Sequence, residues 1–400
     1  MTQSKSSNYI LLAIRVFVGI LFIFSGLIKA NDPSGLAYKM GEFFEVWAKE
    51  EYLPSLMHWF NNYSLELSVL MIAFEIVAGV ALIIGYRFKI FSFLILLLTI
   101  FFTFLTAYAV FSGKIKECGC FGDCIKLKSF ESFMKDIVLL VLIFILFFFR
   151  NKVTQWFSFK VATGIILSAF VFSFLIQWYT LKFLPVKDCL AYKIGNNILK
   201  EMTPGDDYVP EEVKTILRYK KDGIVKDFDL TNYPWQDSTW EFDSQVNEVI
   251  KEAQNEPPIK DFAISNYDGE NVTNQILEYK GNLFILFVKD VDEANLSNMN
   301  KLKALISDCK SSHIPIIAVS SSNDIQTNQF KEKNQLDIEF FTIDGTVCKT
   351  AMRSNPGLMC IKNGNIIGKW SYASYPMLTN LHLDLNNNSA PLFDKSTINE

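Results

Sequence analysis

The stretch Cys118-Gly-Cys120-Phe-Gly-Asp-Cys124 is the most informative part of this sequence. It places three thiols within seven residues, between two hydrophobic segments that are each long enough to be a membrane helix. Thiols in such a loop lie at a membrane surface, and their chemistry depends on the side that they face. On the oxidising side, a disulfide or a thiol-exchange site is the first expectation. The membrane topology therefore decides what these cysteines do.

Five hydrophobic segments before residue 185 are long enough to span a bilayer, so we expect the lipid bilayer to be a partner. Half of the 400 residues are apolar, and the excess is concentrated in this part of the chain. The fourth segment is the weakest, because its fully apolar run is short and begins beside Lys135 and Asp136. The predicted spans are Tyr9–Ile28, Leu65–Ile84, Ile90–Val110, Phe133–Phe149 and Val161–Leu181.

The basic residues of the short loops predict the orientation of these spans. Those that would face the cytoplasm if the N-terminus does are Lys5, Arg87, Lys89, Arg150, Lys152 and Lys160. The cysteine loop opposes this arrangement with lysines of its own, which are Lys114, Lys116, Lys126, Lys128 and Lys135. We still expect a cytoplasmic N-terminus. An odd number of spans then places the cysteine loop and the chain after residue 183 on the other side.

The overall charge excludes one class of partner. The net charge is −4, and no basic cluster is dense enough for nucleic-acid binding, so we expect no nucleic-acid partner. The chain contains 7 cysteines, and this odd number leaves at least one thiol that is free or pairs with another molecule.

Residues 1–183 resemble the DoxX/MauE superfamily of small four-helix membrane proteins. The resemblance is carried by Arg15-Val-Phe-Val-Gly-Ile-Leu-Phe-Ile-Phe-Ser-Gly-Leu-Ile-Lys29, Asn31-Asp-Pro-Ser-Gly-Leu-Ala-Tyr-Lys39, Glu75-Ile-Val-Ala-Gly79 and Cys118-Gly-Cys120-Phe-Gly-Asp123. It implies a membrane all-α helical bundle, here a four-helix unit plus a fifth span. MauE-type proteins are implicated in disulfide maturation of an exported enzyme. DoxX-type proteins are implicated in quinone-linked respiratory chemistry, so a quinone is the cofactor that the resemblance suggests.

Cys118 and Cys120 are the candidate catalytic residues. A disulfide across one intervening residue closes a strained ring, and strained disulfides are the more oxidising and labile ones. Neighbouring lysines would favour the reactive thiolate. The alternative is a structural disulfide in which one of these cysteines pairs with Cys124 or with Cys189. A metal site is a third interpretation, but it lacks a fourth ligand, because His58 is the only histidine in the membrane unit.

Charged residues in the first two spans predict two ion pairs. Antiparallel packing of these spans would bring Lys29 to Glu66 near the outer surface and let Arg15 reach toward Glu75 at greater depth. One interpretation is that the pairs only fix the register of the helices. The other is that they form a polar pocket for a quinone head group or a proton path.

Residues 257–375 resemble the α/β thioredoxin-like fold of the TlpA and peroxiredoxin type. The matching segments are Pro257-Pro-Ile-Lys-Asp-Phe-Ala-Ile-Ser-Asn-Tyr-Asp-Gly269, Tyr279-Lys-Gly-Asn-Leu-Phe-Ile-Leu-Phe-Val288 and Asn355-Pro356-Gly-Leu-Met-Cys-Ile-Lys362. The resemblance implies that Pro356 is cis and faces the active site. However, Lys289-Asp-Val-Asp-Glu-Ala294, where the active cysteines of that fold should lie, contains no thiol. We therefore expect a redox-inactive binding module.

The remaining segments join and follow the two domains. Residues 184–256 are predicted to form a connector with a β-hairpin that turns at Asp222-Gly223, and residues 376–400 form a C-terminal tail. Cys309 and Cys360 have the positions of buried packing residues. The role of Cys348 stays open. The whole chain is similar to a Bacteroidota-type fusion of a DoxX/MauE-like unit to a thioredoxin-like domain.

These observations indicate a thiol–disulfide component of the bacterial inner membrane. Its N-terminus would be cytoplasmic, and its cysteine loop and C-terminal domain would be periplasmic. Cys118 and Cys120 would exchange with exported client proteins that the thioredoxin-like domain binds. If the protein is an enzyme, it is a thiol–disulfide oxidoreductase. The alternatives are a non-enzymatic membrane scaffold with a structural disulfide and a quinone-linked respiratory subunit.

Overall fold

The N-terminal part of the protein is a bundle of helices. The computed structural model describes residues 5–50, 52–115, 119, 122–125, 127–251, 253–381 and 392. The first seven helices are α1 (Lys5–Asn31), α2 (Pro33–Lys49), α3 (Pro54–Asn62), α4 (Ser64–Ile84), α5 (Phe88–Ser112), α6 (Ser129–Phe148) and α7 (Phe159–Phe183).

Four helices of the described chain are long and apolar enough to cross a bilayer, namely Tyr9–Asn31 within α1 together with α4, α5 and α7. Helix α6 has 20 residues, but its first two turns carry Glu131, Lys135 and Asp136. A disulfide from Cys124, before α6, to Cys189, after α7, holds both ends of the α6–α7 pair at one face of the bundle. This arrangement is expected if α6 crosses together with α7. Helix α6 is not among the four helices named above, so the fourth predicted span, Phe133–Phe149, stays a prediction.

Glycines set the register between α1 and α4. A Cβ atom on Gly79 would lie 2.7 Å from the carbonyl oxygen of Gly19, and one on Gly26 would lie 2.6 Å from the side chain of Ile76. Only glycine allows two helix backbones to approach so closely in a membrane bundle. The close approach therefore fixes Gly26 beside Ile76 and Gly19 beside Gly79.

Helix α2 turns back over the bundle immediately after α1. The Asp32 side chain caps α2 by accepting a hydrogen bond of 3.1 Å from Gly35 N, and Pro33 occupies the first position of the helix. The Ser68 hydroxyl donates to Pro33 O at 2.8 Å, so the first turn of α2 lies against the first turns of α4. We call the face at which α1, α5 and α7 end the cysteine face.

A small antiparallel sheet follows the bundle. After the short helix α8 (Ile198–Met202), strands β1 (Glu212–Lys221), β2 (Ile224–Asp229) and β3 (Glu241–Lys251) pair in the order β2-β1-β3. Asp222 and Gly223, which connect β1 to β2, have φ values of 51° and 82°. Two consecutive positive φ angles are typical of a two-residue hairpin turn.

The C-terminal domain is a thioredoxin-like α/β unit, in agreement with the predicted fold class. Its elements are β4 (Ile264–Ser265), α9 (Thr273–Leu277), β5 (Asn282–Val288), α10 (Met299–Ser311), β6 (Ile316–Ser320), α11 (Asp324–Asn334), β7 (Glu339–Ile343), α12 (Gly345–Ala351), β8 (Gly357–Lys362) and β9 (Asn365–Ser371). The strands form one sheet in the order β4-β7-β6-β5-β8-β9. Strands β5, β6 and β7 are parallel, and β8 and β9 are antiparallel.

The fully buried strand β5 is the centre of this sheet. Apolar clusters cover both faces of the sheet. The sequence of β5 is a continuous hydrophobic run because the strand is buried on both faces. The peptide bond between Asn355 and Pro356 is cis and precedes β8.

The segment after α7 connects the two domains by polar contacts. The Asn31 side chain at the end of α1 donates to Lys187 O at 2.8 Å and accepts from Lys187 N at 3.0 Å. The neighbouring Asp188 forms a 2.6 Å ion pair with Lys369 of β9. The C-terminal domain is therefore held against the cysteine face by contacts on both sides of this segment.

Candidate functional site

The cysteine face carries a disulfide between Cys124 and Cys189. Cys118 and Cys120, the predicted catalytic residues, lie outside the described residues. A cysteine forms only one disulfide, so the pairing of Cys124 with Cys189 overturns the alternative in which either residue pairs with Cys118 or Cys120. The loop is fastened by the cysteine at its end and by the cysteine beyond α7.

Gly119, between the two candidate thiols, lies against helix α2. Its φ is +63°, a conformation that favours glycine, and an added Cβ would lie 3.0 Å from the Lys39 side chain. Gly122 has φ +57°, and its N–H donates to Gly119 O at 2.9 Å. Lys39 also pairs with Glu42 at 3.2 Å. The side chain of a basic residue thus lies beside Gly119.

The end of the cysteine loop is bound to the C-terminal domain by an arginine. Arg353 Nη2 donates to Asp123 Oδ2 at 2.7 Å, and Arg353 Nε donates to Asp32 Oδ2 at 2.8 Å. Its third group, Nη1, donates to Lys349 O at 2.6 Å. The Arg353 side chain is only 7% exposed, so this is a nearly buried cluster of three charges. We call Asp32, Asp123 and Arg353 the interdomain clamp.

The aromatic ring of Tyr38 lies beside the interdomain clamp. Lys289, Lys349 and Arg353 of the C-terminal domain place their cationic groups 5.8, 5.4 and 5.2 Å from the centre of this ring. Such distances allow cation–π attraction. Lys289 directly follows β5, so the edge at which thioredoxin-like domains carry their active site faces helix α2 of the membrane domain.

Burial shapes the electrostatics of the clamp. Desolvation raises the pKa of the Asp32 carboxyl group, and the attraction of Arg353 opposes this rise. Burial also acts to lower the pKa of Arg353, but the carboxylates of Asp32 and Asp123 outweigh it and raise that pKa above its ordinary value. Arg353 therefore stays charged, and its positive charge allows the two carboxylates to lie close together.

A cavity of about 390 Å³ lies between α1, α2, α4, α5 and α6. Its walls are mostly apolar and aromatic, with Phe22, Phe43 and Phe102 among them. Gly119 of the cysteine loop is also part of the lining. The cavity therefore connects the interior of the bundle with the segment that carries the candidate thiols.

A buried ion pair lines this cavity, and its partners differ from the predicted ones. Lys29 Nζ lies 2.6 Å from Glu75 Oε1, and the two side chains are 4% and 1% exposed. The Ser25 hydroxyl donates to Glu75 Oε2 at 3.2 Å. The predicted pairing of Lys29 with Glu66 is wrong, because Lys29 is buried inside the bundle whereas Glu66 is exposed in the first turn of α4.

The predicted pairing of Arg15 with Glu75 is also wrong. The register of α1 against α4 places Arg15 beside Gly85, at the opposite end of α4 from the cysteine face. There Arg15 Nη1 donates to Thr154 O at 3.1 Å, and the guanidinium group lies 4.8 Å from the centre of the Trp156 ring. Its Nε and Nη2 atoms are buried without a hydrogen-bond partner among the described residues.

A second polar group on the cavity wall is centred on Asp136 of α6. Thr106 Oγ1 donates to Asp136 Oδ2 at 3.2 Å, and Lys135 Nζ lies 2.9 Å from Asp136 Oδ1. Asp136 is buried, like Glu75. The cavity is thus an apolar space with two compensated carboxylates.

The cysteines of the C-terminal domain are unlike a thiol-exchange site. Cys309, Cys348 and Cys360 are all unpaired and buried. Burial raises the pKa of Cys309 and that of Cys348 to about 12, and it raises the pKa of Cys360 as well. Within the described part of the chain, no group of three His, Cys, Asp or Glu residues could hold a metal ion.

Two family models match parts of the chain. Residues 7–149 match the family model of methylamine utilisation protein MauE. Residues 213–252, which contain most of the small antiparallel sheet, match a domain of unknown function, DUF8463. Residues 7–149 are therefore similar to the MauE family, in agreement with the predicted resemblance.

One curated relative adds to this result. Over 180 residues the chain is 27% identical to Protein TlpB of Flavobacterium psychrophilum, and the aligned region covers 44% of this chain and 46% of that protein. The chain thus spans about half the length of the curated relative that it matches. No solved structure gives a significant match.

Proposed function

We propose that this protein is a thiol–disulfide oxidoreductase of a bacterial inner membrane, with Cys118 and Cys120 as its exchanging thiols. The observation that carries the proposal is the disulfide between Cys124 and Cys189. It fastens the loop without using Cys118 or Cys120, and so leaves the Cys-Gly-Cys pair for chemistry. The burial of the three C-terminal thiols removes them as competing nucleophiles.

The proposed reaction transfers two electrons from an exported client to the membrane domain. A client thiolate attacks the Cys118–Cys120 disulfide and forms a mixed disulfide, releasing the other loop cysteine as a thiolate. A second client thiolate then displaces the bound loop cysteine, which leaves the client oxidised and the two loop cysteines reduced. The Lys39 side chain lies beside Gly119, and in this proposal its positive charge would favour the thiolate that leaves in each step.

The cavity supports a quinone as the acceptor that reoxidises the loop. When bound, a quinone would supply a membrane-soluble acceptor of two electrons and two protons. The residues fit such a group: apolar walls suit the ring, and the Lys29 ammonium group has three N–H donors, of which Glu75 takes one. The same cavity would serve a quinone-linked respiratory subunit.

The distribution of charge supports an orientation with the cysteine face outside the cytoplasm. Arg87 at the start of α5 and the segment Arg150–Lys152 after α6 both lie at the face opposite the cysteine face. Basic loops are retained in the cytoplasm. A structural disulfide persists in an oxidising compartment. The disulfide at the cysteine face therefore favours the periplasm as the location of the loop and the C-terminal domain.

Redox titration of the purified protein tests this proposal. Mild reduction with a small thiol should open the Cys118–Cys120 bridge and leave Cys124–Cys189 intact, as read by alkylation and peptide mass analysis. A Cys124→Ser/Cys189→Ser variant is the control for the structural bridge. If Cys118 and Cys120 form no bridge, or one that does not exchange with small thiols, the protein is a scaffold with a structural disulfide instead.

A further inference from the structure

The thioredoxin-like domain lacks a thiol at its usual active edge, yet this edge is not left free. Arg353, three residues before Pro356, contacts Asp123 of the cysteine loop and Asp32 at the start of α2. Lys289, the first residue after β5, lies over the ring of Tyr38. The surface beside the cis-proline thus contacts the protein's own membrane domain.

We propose that Arg353 is a positioning residue that holds the cysteine loop in place for thiol exchange. This inference rests on the proposed function, since the loop carries the candidate thiols. Asp123 is followed directly by Cys124, so the clamp and the disulfide fix the same end of the loop from two sides. The C-terminal domain then acts on the loop of its own chain, in addition to any client that it binds.

The geometry of the clamp requires an arginine. The guanidinium group contacts two carboxylates and one carbonyl oxygen through three different nitrogen atoms, and only its planar fork provides these directions. A lysine at position 353 would place one ammonium group near one carboxylate at a time. If Arg353 only neutralised charge, lysine would replace it fully. Partial function of Arg353→Lys therefore indicates positioning.

Gly35 is a second element of the clamp. A Cβ atom at this position would lie 2.8 Å from Asp32 Oδ2 and 3.1 Å from Asp123 Oδ2. The absence of a side chain is what allows the two carboxylates to meet in front of Arg353. Gly35→Ala therefore displaces the carboxylates, and the higher helix propensity of alanine offsets part of any loss of the Asp32 cap of α2.

The test uses the full-length protein in membranes or detergent and two measurements. Hydrogen exchange of the loop around residues 119–125 reports positioning directly, and the rate of thiol exchange at Cys118 and Cys120 reports function. In Arg353→Met we expect loop amides to exchange about tenfold faster and thiol exchange to slow about tenfold. Arg353→Lys should be intermediate in both.

The pair of Arg353 and Asp123 gives a further diagnostic. Since Asp123 acts on the clamp through its contact with Arg353, the Arg353→Met/Asp123→Asn double variant should have no larger effect than Arg353→Met alone. Arg218→Met is the matched control, because Arg218 forms an exposed ion pair with Asp227 in the small sheet. It should change neither measurement.

The outcomes separate the two proposals. Loop protection that falls in Arg353→Met and Gly35→Ala supports positioning, even if the wild-type protein shows no thiol exchange and the proposed function fails. Unchanged loop protection and unchanged thiol exchange in both variants would overturn the role of Arg353. If Arg353→Met does not fold, as shown by loss of the Cys124–Cys189 disulfide, Gly35→Ala alone decides between these results.

Discussion

Lys29 Nζ lies 2.6 Å from Glu75 Oε1, deep between α1 and α4 and on the wall of the cavity beneath the cysteine loop. Two glycines, Gly19 and Gly26, bring the helices close enough for this contact. The pair therefore depends on the backbone register as well as on the charges themselves.

Removing one partner of this pair should destabilise the bundle. We expect Lys29→Leu and Glu75→Leu each to reduce the free energy of unfolding by about 3–5 kcal/mol, because each leaves an uncompensated charge in the bundle. The double variant should recover much of the loss. Unfolding in detergent measures this, with Lys214→Leu as the control for an exposed pair, expected to cost about 1 kcal/mol or less. Additive losses in the double variant would mean that the two residues do not act as a pair.

Arg15 should behave differently from Lys29. Because it contacts Thr154 O and the Trp156 ring instead of a carboxylate, Arg15→Leu should leave the environment of Glu75 unchanged. The Arg15→Leu/Glu75→Leu double variant should thus show the sum of the two single losses. Recovery of stability in that double variant would instead indicate that Arg15 pairs with Glu75.

The thiols of the C-terminal domain should be inert in the folded protein. Their raised pKa values, about 12 for Cys309 and Cys348, leave about one thiolate in ten thousand thiols at pH 8. Raising the pH from 7 to 9 should therefore produce no detectable alkylation at these positions before unfolding. Unfolded protein, in which the pKa returns to its ordinary value, should react fully. Rapid native labelling of Cys348 would identify a thiol site in the thioredoxin-like domain.

A bound quinone should quench the fluorescence of Trp47, which lines the cavity. We expect saturable quenching on addition of a short-chain quinone, and loss of the saturable part in Trp47→Phe. Trp235→Phe is the matched control, since this residue is 70% exposed and distant in sequence from the cavity lining. Quenching that rises linearly without saturation, and equally in both variants, would contradict a quinone site.

The sequence predicts the elements of the fold better than their contacts. The thioredoxin-like domain is recognisable because β5 is a continuous apolar run and because α11 begins with its own capping residues. The ion pairs were predicted wrongly, since depth along a helix does not reveal the register that Gly19 and Gly26 impose. Arg353 carries no local signal, because its partners Asp32 and Asp123 lie 321 and 230 residues away. The sequence identifies Asp136 only as a charge that weakens the fourth predicted span. The structure shows that Asp136 lines the cavity.

The orientation of the membrane domain can be tested independently of the chemistry. A reporter enzyme that is active only in the periplasm, fused after residue 200, should be active, because the segment after α7 lies at the cysteine face. A reporter fused after Arg87 should be inactive. The opposite pattern would place the thiols in the reducing cytoplasm and would remove the physical basis for disulfide exchange.

The central claim is that Cys118 and Cys120 exchange disulfides with other proteins, and trapping in cells tests it most directly. With one loop cysteine replaced, in Cys118→Ser or Cys120→Ser, the remaining loop thiolate can attack the disulfide of an oxidised client and displace one client cysteine as a thiolate. No second loop cysteine is present to release the client from this mixed disulfide, so mixed disulfides with exported proteins should accumulate. The Cys118→Ser/Cys120→Ser double variant should trap nothing. Absence of mixed disulfides from both single variants at normal protein levels, or equal trapping by the double variant, would contradict the account.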